Sequence, residues 1–399
     1  MPLEYRPPDP AQRNLEAEAL LALGRLDGAL GTVGRTTLRL FAVRLLRNLL
    51  VTALRQEGHA FTDQRFHAWF AGVATLSDQP PRSGRPPRVL CETILTELMH
   101  SSWDLLAELA ARFQVALLAP SDHTGCELAA EAARQDARAI VTAARGLMGG
   151  LPPSPHPQIA LAHLHHAVEA HILFAPLERA PEPIAMGPIR LTIERARAPS
   201  PRWAIEMLWG EHWHAAGLMA HALPFPGLIR LDALTASARS DPGDPDDTPV
   251  ILATALRDAA LSLSNSLSEA DQLARRLADC QPGKRRTSRT PALLELLSGF
   301  GPLRSTQLEA LLGVTRPGLR TMLAALNEVG MLERTTLAGV HLYAVNLEAR
   351  VADGADELTA SSTFSSATLG EYEAAMANIE ALLARSSVGP SDSDEDDQS

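Results

Sequence analysis

The sequence predicts a mainly α-helical protein in which a large N-terminal helical bundle precedes a smaller C-terminal helical unit with a β-hairpin. Apolar residues recur at three- and four-residue spacing through the first 280 residues, as expected for the buried sides of helices. Aromatic residues make up only 4% of the chain, which disfavours an all-β sandwich or barrel because strands are rich in aromatic and β-branched residues. Helices with one apolar side must pack together, so the pattern predicts a bundle.

Eight helical patterns fill the predicted bundle, and polar or proline-rich breaks separate them. Gly58 is placed to end the second pattern, and Thr62 is placed to cap the third. The eight patterns run over residues 15–30, 38–54, 62–73, 89–118, 127–147, 158–174, 201–223 and 249–280.

Composition divides the chain into five segments, the second of which has a proline-rich sub-boundary near 151–157. The fifth segment contains one amphipathic helical pattern over 368–385 and then a run of serine and acidic residues that is typical of disorder. The segments are a disordered N-terminus (1–10), the helical bundle (11–280), a basic linker (281–290), the C-terminal unit (291–347) and an acidic tail (348–399).

The net charge of −11 is unevenly distributed along the chain. Residues 351–399 hold 11 acidic residues and one basic residue, whereas residues 281–350 hold nine basic and five acidic residues. A basic segment between a mildly acidic bundle and a strongly acidic tail is typical of a module that faces nucleic acid.

The C-terminal unit has the layout of a winged helix-turn-helix. After a first helix, Ser305 is expected to cap a short second helix that ends at Gly313, and Thr315 to cap a longer third helix. Residues 332–336 and 339–345 alternate apolar and polar side chains around a tight turn, which predicts a β-hairpin, the wing. The expected buried side of the third helix comprises Leu319, Met322 or Leu323, Leu326 and Val329.

The free side of the third helix predicts binding of double-stranded DNA. In helix-turn-helix proteins such positions enter the major groove, where arginine reads guanine. The start of the second helix, including Gln307, offers free N–H groups to phosphate, and the basic linker suits the backbone or minor groove. The predicted DNA-binding residues are Lys284, Arg285, Arg286, Arg289, Ser305, Thr306, Thr315, Arg316, Arg320, Thr321 and Arg334, with Thr335, Thr336 and His341 beside them on the wing.

These features predict a transcriptional or plasmid-maintenance regulator that acts as a homodimer, since two half-sites multiply the affinity of one winged helix. Three cysteines and the absence of a long apolar run predict a reduced, cytoplasmic protein that does not enter a membrane. No phosphate-binding glycine loop, nucleophile elbow or paired-cysteine zinc pattern occurs, so we expect no enzyme activity, cofactor or metal.

Two alternatives from other functional classes stay open. The first is a protein–protein adaptor whose winged helix contacts a partner. The second is a metal-dependent enzyme that uses histidines of the bundle. His165 with Glu169, and Glu211 with His214, have a helical spacing at which both side chains of a pair could reach one metal ion. The remaining histidines of these two clusters are His163, His166, His171, His212 and His221.

The chain also resembles a known family. The segments Gly24–Leu30 (GRLDGAL) and Gly227–Leu234 (GLIRLDAL), Trp69 and the loop Pro80–Pro87 are similar to uncharacterised alphaproteobacterial, often plasmid-encoded, helix-turn-helix proteins of rhizobia. The resemblance covers most of the chain up to about Val345 and implies a helical N-terminal region with a C-terminal DNA-binding domain. The N-terminal helices also resemble the region that precedes the catalytic core of Fic-type nucleotidyl transferases. The Fic motif itself is missing, so the resemblance implies no transferase activity.

Overall fold

The computed structural model describes residues 10–73, 85–120, 127–175, 182–186, 189–193, 200–230, 248–279 and 289–347. Within these ranges the chain forms twelve helices and five strands, which confirms the prediction of a mainly helical fold. The helices are α1 (Pro10–Leu30), α2 (Arg35–Gln56), α3 (Asp63–Phe70), α4 (Pro87–Leu98), α5 (Asp104–Ala116), α6 (Glu127–Gly149), α7 (Pro157–Ala170), α8 (Arg202–Ala215), α9 (Thr248–Asp279), α10 (Thr290–Phe300), α11 (Ser305–Leu312) and α12 (Arg316–Glu328). The strands are β1 (Glu182–Met186), β2 (Ile189–Ile193), β3 (Leu303–Arg304), β4 (Leu332–Leu337) and β5 (Val340–Val345).

Helix α2 lies in the middle of the bundle. It contacts α4, α5, α8, α9 and α10, and its buried residues, among them Leu40, Phe41 and Leu46, occupy several sides of the helix. A helix that is apolar around much of its circumference has to be enclosed by other helices. Helix α1 packs along α9, so the two long terminal helices of the bundle lie side by side.

The ends of α2 and α3 follow the sequence signals. Gly58 has a positive φ of 86° just after α2, a backbone conformation that glycine adopts without strain. The hydroxyl oxygen of Thr62 accepts a hydrogen bond from the N–H of Arg65 at 3.2 Å, which confirms the predicted cap of α3.

The prediction of a single helix over 89–118 is wrong, because the structure has two helices, α4 and α5, in this range. Between α4 and α5, Ser101 and Ser102 donate their hydroxyls to the carboxylate of Glu211 at 2.8 and 2.5 Å, and the N–H of Ser102 donates to it as well. Serine side chains compete with helical hydrogen bonding when such a partner is near. Trp103 follows the break and is buried.

The helix predicted over 201–223 is shorter than expected. Helix α8 ends at Ala215, and Gly217 turns the chain at a φ of 71°. The segment that follows folds back on α8 so closely that a Cβ on Gly210 would lie 1.8 Å from the carbonyl oxygen of Leu223. The apolar residues of this segment, including Met219, are buried without being helical, a distinction that apolar spacing cannot make.

Strands β1 and β2 form an antiparallel pair that the sequence patterns did not predict. Its register pairs Glu182 with Ile193 and Met186 with Ile189.

The segment from α10 to β5 packs against the bundle through apolar side chains. Helix α10 packs on α2, where a Cβ on Gly299 would lie 3.0 Å from Val43 Cγ1. The ring of Phe300 is fully buried and stacks on Phe113, with ring centroids 4.4 Å apart. One hydrophobic cluster contains residues of α1 and of α12, so the core of the bundle extends into the C-terminal segment.

The basic linker up to residue 288, the tail 348–399 with its predicted helix over 368–385, and residues 1–9 lie outside the described residues. Among the helices that are described, none combines the length and the apolar content of a membrane span.

Candidate nucleic-acid interface

Helices α11 and α12 are joined by a tight turn. Gly313 caps the end of α11 in the left-handed conformation, at φ 59° and ψ 45°, as glycine commonly does. The residue before α12 is Thr315, in extended conformation as predicted for an N-cap, although its side chain makes no capping hydrogen bond. The N–H of Val314 donates to the carbonyl of Glu309 at 3.2 Å. The turn therefore has a fixed geometry, which sets the direction of α12.

Arg289 has a structural partner in this turn. Its guanidinium donates to the carbonyl oxygens of Leu312 and Gly313, at 2.5 and 3.0 Å. A cation at the C-terminal end of a helix stabilises the carbonyls that lack helical partners. Of the four basic residues predicted around the linker, Arg289 thus holds α11 in place, while Lys284, Arg285 and Arg286 lie outside the described residues.

The N-terminus of α11 differs from the prediction. The cap is Arg304, and Ser305 is the first helical residue. The N–H of Arg304 donates to Gln307 Oε1 at 2.9 Å, and Gln307 Nε2 donates to the carbonyls of Phe70 and Ala116 at 3.0 and 2.8 Å. Gln307 is fully buried, so the expectation that it faces phosphate is wrong.

The other two residues at the start of α11 have different exposures. Thr306 is exposed and Ser305 is half-buried. Thr306 therefore remains accessible to a partner at the start of α11, whereas Gln307 fastens α11 to the ends of α3 and α5 through hydrogen bonds.

Helix α12 has one buried and one exposed side. Leu319, Leu323 and Leu326 are buried, as predicted, and Met322 is half-buried. Val329 was predicted to be buried but is 39% exposed. Gly330, at φ 70°, ends the helix and turns the chain so that Met331 is buried instead.

Thr315, Arg316, Arg320 and Thr321 are brought together on the exposed N-terminal half of α12. Arg316 and Arg320 are one helical turn apart and so lie on the same face. Among the described residues, no acidic side chain forms an ion pair with either arginine. Thr321 donates its hydroxyl to the carbonyl of Pro317 at 3.1 Å.

The arginines of α12 occupy an electrostatically unfavourable place. The N-terminal end of a helix carries partial positive charge, so cations in its first turns are repelled and anions are attracted. Arg316 is the first helical residue, and the helix has no acidic residue in its first turn. The first half of α12 is therefore a cationic surface that would be stabilised by an anionic partner.

Strands β4 and β5 form the predicted hairpin. Leu337 pairs with Val340 across a two-residue turn in which Ala338 and Gly339 have positive φ angles of 47° and 77°. A two-residue turn whose twist matches that of the paired strands commonly requires positive φ angles at both central residues. The short strand β3, which was not predicted, pairs with β5 and completes a three-stranded antiparallel sheet in the order β3-β5-β4.

The exposed side chains of β4 include Arg334, Thr335 and Thr336. The hydroxyl of Thr336 lies 2.8 Å from Nδ1 of His341, its exposed neighbour on β5. Arg334 has no ion-pair partner among the described residues. The hairpin thus presents a polar surface with one free guanidinium.

Two histidines of the predicted clusters stack on tryptophans, whereas Nδ1 of His163 and Nε2 of His165 are buried with no hydrogen-bond partner among the described residues. His212 stacks on Trp209 with ring centroids 4.9 Å apart, and His221 stacks on Trp103 at 5.4 Å. Burial lowers the pKa of His165, although the charge of Glu169 opposes the shift. Within the described ranges, no three His, Cys, Asp or Glu side chains are grouped so that they could hold a metal ion. The pairs His165 with Glu169 and Glu211 with His214 therefore do not form part of a set of three possible metal ligands among these residues.

Glu206 of α8 is a buried carboxylate that sequence reasoning did not identify. It is fully buried and accepts hydrogen bonds from Gln56 Nε2 and the N–H of Gly227 at 2.8 Å each, and from the N–H of Ile229 at 3.0 Å. Burial raises the pKa of Glu206, while the charge of Arg202 and these hydrogen bonds lower it. The side chain holds the loop after α8 in place.

Glu57, just after α2, is also fully buried. Its carboxylate accepts hydrogen bonds from Arg85 Nη1 and Trp203 Nε1, both at 2.8 Å. Buried charges are tolerated when they are paired and hydrogen-bonded, so Glu57 and Glu206 are explained by the packing of the bundle.

The sequence matches no protein-family model and no curated protein.

Proposed function

We propose that the segment from α10 to β5 is a winged helix-turn-helix that binds double-stranded DNA, and that the protein is a transcriptional or plasmid-maintenance regulator. The observation that carries the proposal is the pair Arg316 and Arg320, exposed on one face of α12 with no ion-pair partner among the described residues. An uncompensated cationic helix face next to a hairpin favours a polyanionic partner.

The order of elements supports the same assignment. A helix, a short strand, two helices joined by a tight turn and a hairpin follow one another from α10 to β5. In helix-turn-helix proteins the second helix of the turn lies in the major groove, with its N-terminal residues at the base edges. This position corresponds to the exposed first half of α12.

Each exposed residue has a role in the proposed complex. Arg316 and Arg320 would read guanine through paired hydrogen bonds, and Thr321 would contact a base or a phosphate. Thr306 at the start of α11 would contact the backbone. Arg334 on the hairpin would contact a phosphate, as would Lys284, Arg285 and Arg286 of the linker. We propose that two copies of the chain bind two half-sites.

The proposal is tested by selecting bound fragments of genomic DNA and then measuring the affinity of the best fragment at two salt concentrations. Phosphate contacts release counterions, so we expect the affinity to fall at least roughly tenfold between about 50 and 200 mM salt. The absence of binding at the lower concentration would contradict the proposal. An adaptor that contacts a protein partner would also retain no DNA in the selection.

A further inference from the structure

A polar trough runs between α2 and α9, on the side of the bundle next to α10. Three hollows of about 430, 300 and 220 Å³ make up the trough. The first two share Arg44 and Glu269, and the first and third share Asn48, Ser262 and Ser266. The hollows are therefore adjacent, and we call them together the α2–α9 trough.

The carboxylates that line the α2–α9 trough are already neutralised by arginines. Each of the three has an ion pair within 3.5 Å, so none of them is free to attract a cation. The pairs are Glu269 with Arg44 at 2.7 Å, Asp63 with Arg55 at 3.3 Å and Asp258 with Arg257 at 3.1 Å.

The largest hollow is lined by Arg44 and Arg47. Of these two, Arg47 has no ion-pair partner among the described residues. It is half-buried, and Nη1 donates to the carbonyl of Phe300 at 3.2 Å, while Nη2 lies 3.5 Å from Asn48 Oδ1. None of the described carboxylates forms an ion pair with it. Burial lowers the pKa of Arg47, against the charges of Asp63 and Glu269. A partly desolvated cation is costly unless an anion accompanies it.

Neutral polar side chains surround this cation. Ser262, Asn265 and Ser266 line the same hollow as Arg47, and their side chains make no hydrogen bond to any described residue. They therefore retain both donors and acceptors for a ligand. The free N–H groups of a guanidinium match the oxygen pairs of carboxylate and phosphate groups.

We propose that the α2–α9 trough binds a small anionic molecule through a phosphate or carboxylate group, with Arg47 as its counter-charge. Ser262, Asn265 and Ser266 complete the hydrogen bonding of the anion or of hydroxyl groups beside it. The proposal does not depend on the DNA-binding function. Arg47 also donates a hydrogen bond to the carbonyl of Phe300, the last residue of α10, so the trough adjoins the segment that is proposed to bind DNA.

Isothermal titration calorimetry of the full-length chain with inorganic phosphate, and separately with succinate, tests the proposal at constant ionic strength. We expect saturable one-to-one binding of at least one probe, and the probe that binds identifies phosphate or carboxylate as the recognised group. Arg47→Gln should weaken the binding at least tenfold. Arg25→Gln removes an exposed arginine of α1 and should leave the affinity unchanged.

A second variant separates loss of binding from damage to the fold, because Arg47→Gln also removes the hydrogen bond to Phe300. Ser262→Glu leaves Arg47 in place and puts a carboxylate at an exposed position of the trough. It should weaken the binding at least tenfold by supplying the anion internally. The proposal is overturned if neither probe binds the wild-type chain, or if a folded variant of either kind binds as tightly as the wild type. The titration contains no DNA, so its outcome is independent of the DNA selection.

Discussion

The buried carboxylates of the bundle and the exposed arginines of α12 differ in what surrounds them. Glu206 accepts three hydrogen bonds from the bundle, two of them from backbone N–H groups. Arg316 and Arg320 lie on an exposed helix face, and no described residue provides either of them with an ion-pair partner. The fold therefore provides partners for the buried carboxyl group of Glu206, whereas the described residues provide none for the charge of the two arginines.

This difference is the basis for the proposed position of the DNA-binding surface. Removal of a buried carboxyl group that accepts several hydrogen bonds leaves buried donors without acceptors, which is costly. A cation in the first turns of a helix is repelled by the helix dipole, so the charge of Arg316 destabilises α12. Mutation of a buried carboxyl residue is therefore expected to change stability, and mutation of an exposed α12 arginine is expected to change binding.

The largest effect on stability is expected from Glu206→Leu. The substitution leaves Gln56 Nε2 and the N–H groups of Gly227 and Ile229 without the acceptor that they have in the wild type. We expect a loss of about 3–5 kcal/mol in the free energy of unfolding, measured by urea denaturation. Glu206→Gln keeps one acceptor oxygen and should lose less. Equal stability of Glu206→Leu and the wild type would show that the buried hydrogen bonds do not hold the loop.

A smaller effect is expected on lowering the pH, because His67 is buried where the C-terminal segment meets the bundle. Burial, and then the charge of Arg47, lower the pKa of His67 from 6.5 to about 4. Its ring lies 5.6 Å from that of Phe300, and a Cβ on Gly301 would lie 2.6 Å from it. The stability that depends on neutral His67 is complete above pH 6.5 and is lost as the pH falls towards 4.

The size of this pH effect is about 3 kcal/mol, since the unfolded chain binds the proton more readily than the folded one. The measurement is the free energy of unfolding between pH 7.5 and pH 4, analysed as a two-state transition. His67→Asn should flatten the dependence, whereas a variant of exposed His100 should not. An unchanged slope in His67→Asn would refute the assignment.

The smallest effect is a gain in stability in the exposed hairpin. Ala338 is the one non-glycine residue with a positive φ among the described residues, a conformation that strains side chains with a Cβ. Ala338→Gly should raise the free energy of unfolding by about 0.5–1 kcal/mol, measured by thermal denaturation. Ala344→Gly on β5 is the matched control and should lower it. A decrease in Ala338→Gly would show that the turn is not as described.

Much of the C-terminal segment could be predicted from the sequence. The end of α11 at Gly313, the start of α12 after Thr315, the buried Leu319, Leu323 and Leu326 and the hairpin turn all depend on local signals: apolar spacing, glycines and short polar residues. The exposed side of α12 followed from its buried side, so the exposure of Arg316, Arg320 and Thr321 was predicted correctly.

What the sequence did not predict depends on tertiary contacts. Gln307 is buried because the carbonyls of Phe70 and Ala116 accept its amide hydrogens, and no local pattern indicates such distant partners. The break before Trp103 depends on Glu211, which is more than a hundred residues away in sequence. Strand β3 has only two residues and is defined by its pairing with β5, so its pattern is too short to be recognised.

The central claim is tested most directly by removing the two α12 arginines together. Arg316→Gln combined with Arg320→Gln should reduce the affinity for the selected DNA roughly tenfold or more for each arginine, with the melting temperature unchanged. The double variant Arg25→Gln and Arg138→Gln removes two exposed arginines from the bundle and serves as the matched control. If the α12 variant binds the DNA as tightly as this control, the exposed face of α12 is not the DNA-binding surface.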